Sequence, residues 1–125
     1  MMNSPLILGC DIRDFVSETS PDGVDHEVHN GAYDIVTNDA VIALTQDPLL
    51  LQASRISTAD GIDILVKPLE NGEAAVCFFN KSAADGAAAS VNLSTLADED
   101  DRITLPSSSI YMVTDLWGDG TEEVS

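Results

Sequence analysis

Apolar positions along this chain fall into segments with different periods. Pro5–Cys10 is a short, fully apolar run ending beyond a glycine, the pattern of a strand buried on both faces in a parallel sheet. Asp14–Gly31, rich in Asp, Ser, Gly and Pro, reads as a long acidic loop. Tyr33–Gln46 carries Ile35, Val36, Val41, Ile42 and Leu44 at helical spacing. Asn38 and Asp39 interrupt it with a second helix start, since their side chains cap free backbone N–H groups. Asp47-Pro48 ends the helix, because proline disfavours the α conformation in the residue before it. Beyond Pro48 the period changes to two. Ile62, Ile64 and Val66 alternate as a strand, and Pro68–Gly72 supplies a turn with Asn-Gly at its end. Ala74–Phe79 is apolar on both faces and predicts a central strand. Ala87–Leu93 alternates again, Ala97–Asp101 is an acidic turn, and Ile103–Leu105 and Ile110–Thr114 are further strand candidates. Short strands with Gly, Asn and Pro turns imply an antiparallel sandwich or meander. Its expected core holds the Ile62, Ile64 and Val66 row, the Val76 and Phe78 row, and Trp117.

Charge narrows the function classes. The 125 residues hold 22 acidic and 5 basic side chains, a formal charge of −17. Nucleic acid is excluded as a partner, because binding there depends on Lys and Arg displacing counterions. An anionic membrane surface is excluded for the same reason. With 44% hydrophobic residues the chain has apolar mass for a core. Its length excludes a whole eight-stranded α/β barrel, which takes about 250 residues. Cys10 and Cys77 are isolated in apolar runs, which points to small buried hydrophobes rather than a disulfide framework or thiolate zinc site. The Met1–Cys10 start lacks the basic region of a signal peptide, and no run reaches the roughly 20 apolar residues of a membrane span. A soluble chain is the expectation, with the compartment left open and the cytoplasm only slightly favoured.

Candidate chemistry is sparse. His26 and His29 stand three apart, but in a Gly- and Pro-flanked loop and without the H-E-x-x-H order that aligns two imidazoles on a helix. The acidic clusters 97–101 and 115–123, with Asp119, Gly120 and Glu122, lack the alternating order of a calcium loop. No metal or other cofactor is expected. Asn80-Lys81-Ser82 and Asn92-Leu93-Ser94 fit the glycosylation pattern, which matters only in a secretory pathway. No nucleophile–base order, phosphate loop or dinucleotide fingerprint occurs, so the residues alone designate no catalytic site.

Four segments nevertheless carry a resemblance. Ser4–Arg13 (SPLILGCDIR) resembles the last barrel strand of the retaining α-galactosidases, or melibiases, which read A-P-L-x-x-G-x-D-[IVL]-R. Ile35–Leu49 is similar to the helix that follows, with its N-x-x-V-I-A-x-x-Q-D-P-L signature. Lys67-Pro68-Leu69 through Val76-Cys77-Phe78-Phe79-Asn80-Lys81-Ser82 resembles the K-P-L…F-N-R-S hairpin, and Tyr111–Trp117 resembles Y-x-V-x-D-L-W. The resemblance fails at Asp14–Gly31, which looks like an insertion.

It implies a mainly β chain: residues 1–48 as the remnant of a catalytic barrel (last strand, inserted loop, last helix), and residues 49–125 as a C-terminal antiparallel β-sandwich domain, truncated. It also implies a glycoside hydrolase removing terminal α-linked galactose with retention, through two closely placed carboxyl groups. The family's nucleophile segment, Y-x-K-x-D, has no counterpart, so no catalytic residue carries over and the chain alone is expected to be inactive. Gly9, Cys10 and Asp11 would border the sugar pocket at the end of the final strand. Arg13 would fix the turn by pairing with Asp11, the role favoured for both. The implied partner is a neutral sugar in the full-length parent, with self-association of the fragment through its unpartnered apolar strand. The alternative is a non-catalytic β module that binds carbohydrate or a partner protein.

Overall fold

The period-two pattern of the second half becomes two antiparallel sheets. The structure, a computed structural model, describes residues 9, 31–83, 88–106, 110–118 and 120–124. A three-stranded meander runs β1 (Ser54–Ala59), β2 (Ile62–Pro68) and β3 (Ala74–Asn80), and β4 (Tyr111–Thr114) pairs with β5 (Thr121–Val124). Two tight turns order the meander. Asp60 and Gly61, both at positive φ, join β1 to β2 with Ala59 opposite Ile62. This is the two-residue Asp-Gly hairpin whose twist matches that of the strands. Gly72, at φ 82°, closes the β2–β3 turn, where the Leu69 N–H donates to the Glu73 carbonyl.

Two consecutive hairpins put the strand between them in the middle, and this decides burial. β2 is the central strand, so its polar positions Asp63 and Lys67 are buried along with Ile62, Ile64 and Val66. The apolar run Ala74–Phe79, expected to be central, is instead the sheet edge. Phe78 and Phe79 are 47% and 54% exposed. Val76, by contrast, packs against the core.

That core lies on one face of the sheet, where Val66, Leu96 and Ile103 form a buried cluster with Ile56, Val91, Leu93 and Leu105 around it. A register shift in β1 between Arg55 and Ser57 leaves Ile56 as the extra residue, and it joins this cluster. The covering segment is not the pair of strands that Ala87–Leu93 and Ile103–Leu105 suggest. Its described part holds a 3-10 turn (Leu93–Thr95) and a short helix, here α3 (Leu96–Glu99), which overlaps the start of the expected acidic turn Ala97–Asp101. Asn92 starts it by accepting from the Ser94 N–H, and one face of this compact turn buries Leu96 and Ile103 without any strand pairing.

The N-terminal helix is split where Asn38 implies. α1 spans Gly31–Val36 and α2 spans Asp39–Thr45, and the Asn38 side chain accepts from the Val41 N–H at 3.1 Å. The strand Pro5–Cys10 and the loop 14–30 lie outside the described residues, apart from Gly9.

Candidate functional site

Helix α2 is tied to the β region at three points, and each tie joins two of the segments that carry the family resemblance. At its start, the Asn38 amide donates to the Leu116 carbonyl at 2.7 Å, linking the helix to the turn after β4. At its end, the Lys67 ammonium donates to the Leu44 carbonyl, one of the last carbonyls of the helix, which lack intrahelical partners. Lys67 is 1% exposed, so its four-carbon stem is enclosed while its charge meets the negative end of the helix. Just beyond the helix, the Asp47 carboxylate accepts from the N–H groups of Leu49 and Glu70, each at 3.1 Å. The K-P-L and Q-D-P-L segments therefore hold helix to sheet.

The described carboxylates that are buried are occupied in the same structural way. Asp63 on β2 accepts from the Lys81 ammonium at 2.7 Å and the Thr58 hydroxyl at 2.6 Å, with Arg55 at 3.7 Å. Those donors, Lys81 first and then Thr58, hold its pKa below the usual value and bind β1, β2 and the end of β3 together. Asp100 receives a bidentate grip from Arg102, Nε at 2.8 Å and Nη2 at 2.5 Å, which keeps it well below the ordinary carboxylate range and raises the Arg102 pKa. Arg102 also donates to the Ser54 hydroxyl and, at 3.2 Å, to the Gln52 carbonyl, pinning the covering segment to β1. A carboxylate locked in its ionised form by cations serves poorly as a proton donor at neutral pH. Neither Asp63 nor Asp100 is arranged for acid–base work.

An open cavity of about 130 Å³ lies beside the β1–β2 hairpin, lined by Ser57, Ala59, Asp60, Ile62, Ile64 and Ala88 among others. It is smaller than the roughly 300 Å³ at which ligand pockets begin. Among the described residues no group of three or more His, Cys, Asp and Glu side chains is placed to hold a metal. No helix among them is long and apolar enough to cross a membrane.

Of the residues expected at a sugar pocket, Gly9 is exposed and outside regular structure. Cys10, Asp11 and Arg13 lie outside the described residues, as do His26 and His29. Trp117, expected in the core, is 63% exposed. Strand β4 ends at Thr114, so the alternation no longer governs where Trp117 points; its N–H donates to the Asp115 carboxylate at 2.9 Å within the turn. The contacts of Asn38 and Lys67 were not legible in the sequence. The available signals were Lys67 standing polar between Val66 and Pro68, and Asn38 as a helix cap, neither of which names the distant partner.

Comparison with known proteins identifies the family to which these segments belong. The family described as the alpha galactosidase C-terminal beta sandwich domain matches residues 59–124. The alpha-galactosidase of Coffea arabica is 27% identical over 98% of this chain, covering 27% of its own length. A probable alpha-galactosidase of Dictyostelium discoideum is 39% identical over 64% of the chain and 18% of its own length. The probable alpha-galactosidase A of Aspergillus flavus is 28% identical over 98% of the chain. The chain thus spans about a quarter or less of the length of these relatives. No solved structure matches it. With its antiparallel sheets and the hydrogen bonds joining its signature segments, the chain belongs to the alpha galactosidase C-terminal beta sandwich domain family.

Proposed function

We propose that this chain is the C-terminal part of a glycoside hydrolase that removes terminal α-linked galactose with retention of configuration. The observation that carries the reading is the family match over residues 59–124, extended by relatives that align across nearly the whole chain. Residues 1–48 then correspond to the last strand, an inserted loop and the last helix of the catalytic barrel, and residues 49–125 to the domain after it. The ties from Asn38, Lys67 and Asp47 support this reading, since they would fix the barrel's last helix on the β domain. Retention needs a nucleophilic carboxylate and an acid–base carboxyl about 5 Å apart. In this reading both come from barrel strands outside this chain, Gly9, Cys10 and Asp11 border the galactose pocket, and Arg13 holds the turn.

The purified chain should therefore show no turnover of an aryl α-galactoside. The coding sequence upstream of Met1 should encode a barrel with a Y-x-K-x-D segment. Turnover by the chain alone, abolished by Asp11→Asn, would place catalysis within it and refute the reading. A carbohydrate-binding module would need aromatic side chains on one face. Phe78 and Phe79 are neighbours on β3 and so project to opposite faces.

A further inference from the structure

We infer that β3 is a self-complementary edge through which two copies of this chain pair into one continuous antiparallel sheet. The inference stands apart from the enzymatic reading and rests on the backbone and charges of residues 73–81.

Hydrogen-bond parity identifies which groups face outward. The Leu69 N–H donates to the Glu73 carbonyl and the Lys81 N–H to the Gly61 carbonyl, so the odd-numbered residues of this segment turn their backbone groups toward β2. Val76 and Phe78, of the other parity, turn theirs to the side of β3 away from β2, which carries no strand among the described residues. At that edge they have no further backbone partner among the described residues. The strand itself, Ala74–Asn80, carries no charge and no proline, the two devices that usually protect an exposed edge.

Charge selects both the partner and the register. Two chains of −17 repel each other, yet residues 73–81 are locally neutral, with Glu73 at one end and Lys81 at the other. Nearby Asp63 is already neutralised by Lys81 and Arg55. In an antiparallel pair centred on Cys77, Val76 lies opposite the partner's Phe78 with their outward groups hydrogen-bonded. Glu73 then meets the partner's Lys81 at both ends. Lys81 donates to its own Asp63 at 2.7 Å and Thr58 at 3.5 Å, and an ammonium has a third proton to give. The exposed rings gain cover as well, Phe78 beside the partner's Val76 and Phe79 beside the partner's Ala75. The same segment serves both subunits, so the contact is two-fold and closed. Shifting the centre to residue 76 or 78 keeps the parity but loses both ion pairs.

The register makes a specific demand on Cys77, a free thiol. It faces the partner's Cys77 as a non-hydrogen-bonded pair, about 4.5 Å between Cα atoms, within disulfide reach. In either shifted register the two cysteines are diagonal at about 7–8 Å and out of reach.

The test uses the full 125-residue chain carrying Cys10→Ser, at about 0.3 M salt, where a Debye length of about 5 Å screens the long-range repulsion. Sedimentation equilibrium should show a monomer–dimer equilibrium. Phe78→Lys and, separately, Glu73→Lys should each raise its dissociation constant about tenfold or more. Circular dichroism should show both variants folded; Glu73 lies in an exposed turn, so its variant keeps the test valid even if Phe78→Lys unfolds. Oxidation with copper–phenanthroline, dioxygen taking the two electrons and two protons, should link Cys77 to the partner's Cys77. A monomer at all concentrations, a dimer indifferent to Glu73→Lys, or a dimer without the Cys77 cross-link overturns the inference.

Discussion

Replacing Asp100 by asparagine tests whether the Arg102 grip is what holds the covering segment on the sheet. The substitution keeps the shape and removes the charge that accepts both Nε and Nη2 of Arg102. A net hydrogen bond to a charged group contributes about 1.5–3 kcal/mol. Breaking a fully buried pair from one side costs about 3–5 kcal/mol. Here the Asp100 side chain is 4% exposed but that of Arg102 is 34% exposed, so water can take over part of the arginine's hydrogen bonding. The lower range applies, and the expected loss is about 2 kcal/mol. In a chain of this length that lowers the thermal midpoint by about 6–10 °C.

The assay is thermal and urea unfolding of wild type, Asp100→Asn, Arg102→Met and the double variant. If the pair acts as a unit, the double variant should be little worse than either single one, giving a coupling of about 1 kcal/mol or more. The pH dependence is a second reading. Arg102 depresses the Asp100 pKa, so its contribution is complete above the unfolded carboxylate value of about 3.9 and is lost as pH falls toward the lower folded value. The gap between wild type and Asp100→Asn should be constant from neutral pH to about pH 5 and narrow below about pH 4. Strictly additive single effects, or a gap that persists unchanged into acid, would show that the Arg102 grip on Asp100 does not hold the segment.

Leu96→Ala removes a side chain that is 1% exposed at the centre of the core cluster, and calorimetry should show a loss of about 3 kcal/mol. Asn38→Ala removes both the cap on α2 and the tie to Leu116, and should cost about 1–2 kcal/mol. Its signature is faster amide exchange at Val41 and across the turn after β4, with the β2–β3 ladder unaffected.

What the sequence showed well was local. Helical spacing broken by Asn38, the Asn-Gly turn and the Ile62, Ile64 and Val66 alternation depend on neighbours a few residues apart, and each appears where the pattern puts it. The Asp60-Gly61 hairpin went unread in the pattern although Asp-Gly is a strong short-range signal for a two-residue turn, and with it β1, which apolar alternation alone does not reveal. β5 offers no comparable signal, because Thr121–Val124 is polar and largely exposed and pairs only by being opposite β4.

Composition could not say which strand would lie in the middle. Ala74–Phe79 is the more apolar segment, yet two successive hairpins place β2 between its neighbours and leave β3 at the edge. Burial follows the pairing order, so Asp63 and Lys67 are enclosed while Phe78 and Phe79 face water. The enclosed charges then need partners, and those come from other elements: Lys81 and Thr58 for Asp63, the carbonyl of Leu44 for Lys67. Charge, the Asn-Gly turn, the strand period and the family signature follow from residue order alone. That the signature's polar residues fasten a helix to a sheet emerges from the folded chain, because a hydrogen bond between residues 23 or 78 positions apart leaves no trace in local periodicity.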